Sequence, residues 1–92
     1  MTDTISRTLS IINVKGLHAR ASAKLVEVVE EHDAEAEVSR NGMSVSGDSI
    51  MGLLMLAAAC GTYIELETSG ADAEALADAI AALVADKFGE GQ

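Results

Sequence analysis

The sequence predicts an α+β fold in which helices cover one face of a single antiparallel sheet. Three observations carry that expectation. Short segments alternate apolar and polar residues with the two-residue period of a half-buried strand. Longer segments repeat apolar residues at helical spacing. An Asn-Gly dipeptide, Asn41-Gly42, separates two of the alternating segments, as a two-residue hairpin requires. Every strand then has a polar face and every helix an apolar stripe. A sheet with water on one side and helices on the other satisfies both.

The first segment, TISRTLSIINV at residues 4–14, sets Ile5, Arg7, Leu9 and Ile11 against Ser6, Thr8, Ser10 and Ile12, and Lys15-Gly16 breaks it. A helix over residues 17–32 follows. Its stripe is Ala21, Leu25, Val28 and Val29, with Lys24, Glu27, Glu30 and Glu31 outside. AEVSR and MSVS flank Asn41-Gly42, whose tolerance of positive φ suits a type I′ turn. GDSIMGLLMLAAACG at 47–61 predicts a second, shorter helix, capped by Asp48 or Ser49 and stopped by Gly61. Leu53, Leu56 and Ala57 are expected to fill its buried stripe. TYIELET turns Ile64 and Leu66 inward and Glu65 and Glu67 outward. Residues 69–72 cap a last helix with the stripe Leu76, Ala79, Ile80, Leu83 and Phe88, and the tail GEGQ is expected to fray. The order is βαββαβα. With no linker and no internal repeat, residues 1–92 are expected to form one domain.

Composition narrows the function. Hydrophobic residues make up 49% of the chain, enough for a core, and that core is aliphatic: there is no Trp, one Tyr (Tyr63) and one Phe (Phe88). A lone cysteine, Cys60, excludes an internal disulfide and a multi-cysteine zinc site, and is expected to be a small buried packing residue. Two distant histidines and one cysteine do not make a metal site. The longest apolar run, residues 50–60, is interrupted by Gly52 and falls short of the roughly 18 residues that span a bilayer. No signal peptide is visible, so a cytoplasmic protein without membrane insertion is expected.

A net charge of −9 argues against nucleic acid. The distribution of charge says more. Residues 27–37 hold six acids and no Lys or Arg, and from Glu65 onward seven acids face only Lys87. Three of the six basic residues, Lys15, Arg20 and Lys24, instead surround His18. A small basic spot on an acidic molecule suits one compact anion.

If the first helix begins near His18, its ring lies beside amides that lack intrahelical partners. Those amides and the helix dipole favour an anion. Gly16 lets the preceding turn approach closely without a Cβ. Arg20 can bring a guanidinium fork to phosphate oxygens, and Lys15 and Lys24 add positive potential. An imidazole, titrating at roughly pH 6.5, is largely neutral at pH 7 and keeps one nitrogen lone pair free. Such a site can hold a phosphoryl group covalently and release it. Each helix-end contribution is only about 0.3–1 kcal/mol, so the adduct is not over-stabilised. On these residues alone, a plain polar helix start remains the competing reading. His32, at the far end of the same helix, reads as structural.

GLHARASAKLVEVV resembles the phosphorylation-site segment of the HPr family, the histidine-containing phosphocarriers of the bacterial phosphoenolpyruvate phosphotransferase system, and GDSIMGLLMLAA resembles the segment around that family's regulatory serine. The resemblance covers essentially the whole chain. It implies an open-faced β-sandwich: a four-stranded antiparallel sheet with three helices on one face. It implies that His18 accepts a phosphoryl group on Nδ1 from phosphorylated enzyme I. Phosphoenolpyruvate is then the original donor, Mg²⁺ acts through enzyme I, the protein needs no cofactor of its own, and an enzyme IIA domain receives the group. Arg20 falls on the active-site arginine, with Gly16, Ala19, Lys15 and Lys24 supporting the phosphate. Ser49 falls on the serine that an ATP-dependent HPr kinase/phosphorylase modifies in some lineages. Ile50, Met51 and Leu54 fall on the apolar docking patch, and a monomeric carrier, not an enzyme, is expected.

One position departs from the family pattern. Ala21 stands where proline is usual, restoring an N–H in the first turn while remaining a good helix former. Two other readings remain open: a carrier of the nitrogen-related branch with a regulatory output, and a partner-binding regulator that is never phosphorylated. Ser49 also suits a plain helix cap.

Overall fold

Strand β1 (Thr4–Ser10) alternates as its sequence demands, with Ile5, Arg7 and Leu9 turned inward and their neighbours exposed. The computed structural model describes residues 4–91. Helix α1 (Ala19–Glu30), the hairpin β2 (Glu35–Arg40) and β3 (Met43–Ser46), helix α2 (Ile50–Met55), strand β4 (Tyr63–Ser69) and helix α3 (Ala73–Ala85) follow, and a 3₁₀ turn at Lys87–Gly89 closes the chain. The strands form one antiparallel sheet in the order β1-β4-β2-β3. Asn41 and Gly42 adopt φ of 52° and 82°, the left-handed pair that a type I′ turn requires, and Arg40 pairs with Met43 across it.

The two faces of the sheet differ as predicted. Val38, Ile64 and Leu66 are buried under Leu25, Val26 and Val29 of α1 and Leu76, Ala77 and Ile80 of α3. Glu35, Glu37, Glu65 and Glu67 stay exposed on the opposite face. The expected open-faced sandwich, with its helices on one side, is the fold observed.

Several boundaries differ from the sequence expectation, each for a backbone reason. β1 stops at Ser10, but Ile11 continues the line: its N–H donates to Thr62 O (2.9 Å), and its carbonyl accepts from Gly61 N (2.8 Å). Helix α1 is shorter than residues 17–32: His18 takes extended backbone, so the helix starts at Ala19, and Leu17 N is used by Ala58 O (2.8 Å) in the loop before it; the helix ends at Glu30.

The largest correction is α2, which ends at Met55 and not at Gly61. Ala57 takes φ 52°, Arg40 Nη1 donates to the Leu56 carbonyl (3.0 Å), and Ala58 O is taken by Leu17. Partners across the fold thus replace helical hydrogen bonds, which an apolar run cannot disclose. Ala57 is accordingly exposed, not part of the buried stripe, while Leu53 and Leu56 are buried as expected. Cys60 is also exposed, since the loop that replaces the helix carries it outside the core.

Ser49 is the cap of α2, accepting from Gly52 N at 3.0 Å; Asp48 instead accepts from Ser46 Oγ. Asp72 occupies the N-cap position of α3, but its carboxylate accepts from Asp33 N (2.8 Å) and ties two loops together. Phe88 is fully buried, though it lies beyond the helix whose stripe it was expected to extend. The tail does not fray through Glu90, which folds back onto the start of α1.

Candidate functional site

The start of α1 is built by the loop before it. Gly16 has φ 66°, and a Cβ there would lie 2.5 Å from Ala58 O and 2.9 Å from Ala59 Cα. Glycine is therefore required both for the turn and for the approach. Leu17 N then bonds to Ala58 O, and His18 N to Gly16 O (2.9 Å). His18 is left as the N-cap in extended conformation, φ −81° and ψ −177°. The first i→i−4 bond runs from Ser22 N to His18 O (2.8 Å), so the amides of Ala19, Arg20 and Ala21 precede it. The His18 side chain makes no cap hydrogen bond and leaves that helix end open.

The His18 ring borders a cleft of about 430 Å³ that is also lined by Val14, Lys15, Arg20, Lys24, Gly89 and Glu90. Three of the cations singled out in the sequence therefore meet around one imidazole. Among the described residues, neither Lys15 nor Arg20 forms an ion pair with an acid. The Lys24 ammonium donates to Phe88 O at 2.6 Å, so it serves the tail as well as the cleft. Ala19 is exposed beside the ring. Ala21, at the departure from the family pattern, is buried within a regular first turn.

Two further residues complete the site. Asn13 is fully buried, and its amide Nδ2 donates to Gly16 O (2.8 Å) and to Glu90 Oε1 (3.0 Å). Its Oδ1 is buried without a protein partner. The other Glu90 oxygen, Oε2, pairs with His18 Nε2. The Asn13 hydrogen bond, then that of His18, holds the Glu90 carboxyl below the usual carboxylate range. Among the described residues, the His18 Nδ1 has no protein partner. The ring keeps 26% of its side-chain surface accessible, enough to meet a reactant.

Neither Asn13 nor Glu90 stands out in the sequence. Asn13 ends an alternating strand, where polarity signals nothing unusual. Glu90 is one acid among many, in a segment with no period. His32 lies at the other end of α1, its Nδ1–H donating to Val28 O (2.7 Å), which fits a structural role.

The second motif lies on α2. Ile50 and Met51 are exposed at 39% and 70%, while Leu54, expected on the same surface, is half-buried. Met55, at 64%, takes part in the exposed apolar surface in its place, and Ile12 and Val14 in the loop before α1 are exposed as well.

Comparison with known proteins places the sequence and the fold. Residues 5–86 match the family model described as the PTS HPr component phosphorylation site. Phosphocarrier protein HPr of Cupriavidus necator is 48% identical over 88 residues, covering 96% of this chain and 99% of that protein. Phosphocarrier protein NPr of Shewanella violacea is 44% identical over 86 residues, covering 94% of each. Among solved structures, HPr-C-His from Thermoanaerobacter tengcongensis superposes with a TM-score of 0.89 at 32% identity, covering 94% of this chain and 97% of that one. On this evidence of sequence and fold together, the chain belongs to the HPr family, the phosphocarrier proteins of the phosphotransferase system.

Proposed function

We propose that His18 is the phosphoryl acceptor of this carrier, taking the group on Nδ1 from phosphorylated enzyme I and passing it to an enzyme IIA domain. The observation that carries this reading is the ring itself: it sits at the open start of α1, in a cleft of cations, with Nε2 engaged and Nδ1 free of protein partners. Phosphoenolpyruvate is the original donor, and Mg²⁺ acts through enzyme I. Arg20 and the amides of the first turn meet the charge of the transferring group. Lys15 and Lys24 raise the local potential, and Gly16 and Ala19 keep backbone and side-chain bulk away from the phosphate.

The exposed apolar residues of α2, Ile50 and Met51, with Leu54 at their edge, serve as the docking patch for both partners. Ser49 is the proposed target of an ATP-dependent HPr kinase/phosphorylase that controls docking. The similarity to an NPr supports a second reading, in which the same chemistry feeds a nitrogen-related branch. The identity of the IIA domain that accepts the group distinguishes the two. A regulator that is never phosphorylated is disfavoured by the presence of His18.

The test is to incubate the protein with enzyme I, Mg²⁺ and phosphoenolpyruvate and to assay acid-labile phosphate. Labelling is expected in wild type and in His32→Ala, and is expected to vanish in His18→Ala. Equal labelling of the two single variants would refute the assignment.

A further inference from the structure

The end of the chain reaches the imidazole along an unfavourable backbone path. After α3, the residues Lys87, Phe88 and Gly89 take φ of 54°, 55° and 76°. Left-handed backbone is uncommon for residues that carry a Cβ, and two of these three do. Such a path persists only where the surroundings impose it, and it points to a functional constraint. Here Phe88 is fully buried, and Lys24 holds its carbonyl. The product of this bend is a carboxylate set against the imidazole.

We infer that Glu90 is a positioning residue for phosphoryl transfer: its carboxylate accepts the Nε2–H of neutral His18 and so holds the ring in the tautomer whose lone pair is on Nδ1. The inference rests on the reading of His18 as acceptor and adds a residue that the sequence motifs do not contain.

The chemistry of the two groups supports it. An ionised carboxylate only accepts, so the nitrogen facing it must carry hydrogen; in a neutral imidazole the other nitrogen is then the base. Glu90 stays ionised because Asn13 and His18 favour its charged form. It is also oriented. Its Oε1 is held by Asn13 Nδ2, and the same nitrogen donates to Gly16 O. Reversing that amide would set an oxygen against two acceptors, so its orientation is settled. The chain Gly16–Asn13–Glu90–His18 thus ties the loop before α1, the tail and the ring into one network.

During transfer, the Nδ1 lone pair forms the N–P bond while the bond from phosphorus to its donor breaks and leaves its electron pair on the donor. The ring loses no proton in this step. It becomes cationic with Nε2–H facing Glu90, so the carboxylate meets positive charge that appears only as the bond forms. Onward transfer returns the electron pair to Nδ1 and restores the same neutral tautomer. The carboxylate serves both directions without being consumed.

The experiment uses the full chain as wild type, Glu90→Gln and Glu90→Ala. ¹⁵N-imidazole NMR of the unphosphorylated protein reports the His18 tautomer, and labelling by enzyme I and phosphoenolpyruvate reports the rate. Wild-type His18 is expected to carry its neutral-state proton on Nε2. In Glu90→Ala the Nδ1–H tautomer should gain population, and the rate should fall about tenfold, the scale on which loss of a histidine-orienting partner is felt. Glu90→Gln leaves one acceptor for two donors: with its oxygen kept by Asn13 Nδ2, its NH2 faces Nε2, so it too should shift His18 toward the Nδ1–H tautomer and slow labelling. A Glu90→Ala protein with unchanged tautomer and unchanged rate would overturn the inference. A rate above wild type would also overturn it, and would make the tail an obstructing lid. Absence of label on wild-type His18 would remove the functional reading and this inference together, which distinguishes that outcome from failure of the inference alone.

Discussion

Gly16 shows how much of the site depends on one atom that is missing. At φ 66° an alanine would adopt a disfavoured backbone, and its Cβ would lie 2.5 Å from a carbonyl oxygen that cannot swing away. That oxygen, on Ala58, is the acceptor for Leu17 N. Relaxing the clash therefore loosens the bond that sets up His18. We expect Gly16→Ala to cost roughly 1–3 kcal/mol from backbone strain and to slow labelling of His18 as well. Thermal unfolding and a phosphotransfer assay on the same sample check both. A variant that melts like wild type would mean that the 58–59 loop yields freely.

At the scale of elements, the short tail behaves as a clasp. Phe88 anchors it in the core, Lys24 holds its carbonyl, and Asn13 and His18 hold its carboxylate. Because the Glu90 carboxyl is held below its ordinary value of 4.5, the unfolded chain binds its proton more readily than the folded one. Its contribution to stability is then complete above that ordinary value and is lost as pH falls through the lower folded value. Glu90→Gln should therefore be less stable than wild type at neutral pH. Its acid limb should be shallower, and the two curves should converge once Glu90 is protonated. Denaturant titrations across that acid range measure the convergence. Parallel curves would show that the clasp owes nothing to the charge.

For the molecule as a whole, a small basic cleft stands on a predominantly acidic surface. Acids line the open side of the sheet, where Glu37 stands directly opposite Glu67, while Lys15, Arg20 and Lys24 gather at the cleft. Like charges across a strand pair destabilise mildly. The cleft is thus a basic region on a chain whose net charge is −9. The apolar residues of α2 lie beside Ser49, which caps that helix. A carboxylate at Ser49 is tolerated locally at a helix start, yet burial against a partner would strip its water without supplying a paired cation. Ser49→Asp should therefore bind enzyme I and enzyme IIA more weakly, each by about tenfold or more if the desolvation cost exceeds roughly 1.4 kcal/mol, while melting near the wild-type temperature. Calorimetric titration against each partner decides it. Normal affinity with a lowered melting temperature would make Ser49 a helix cap alone.

What the sequence by itself determined is whatever depends on local periodicity and on residue type. The strands, the helices, the Asn41-Gly42 turn and the two-faced sheet follow from spacing, because each element must hide its own apolar side. His18, Arg20, Lys15 and Lys24 were legible for a similar reason: they are neighbours in sequence around a helix start, so the first turns of the helix and the short loop before it keep them close. The tertiary structure alone decided what depends on distant partners. Helix α2 stops at Met55 because Leu17 and Arg40 take carbonyls beyond its last turn, and no property of residues 56–61 announces that. Cys60 is exposed for the same reason. Asn13 and Glu90 join the site across 77 positions of sequence. The bond between them exists because a buried phenyl ring turns the chain back on itself, and a contact between such distant residues has no period to reveal it.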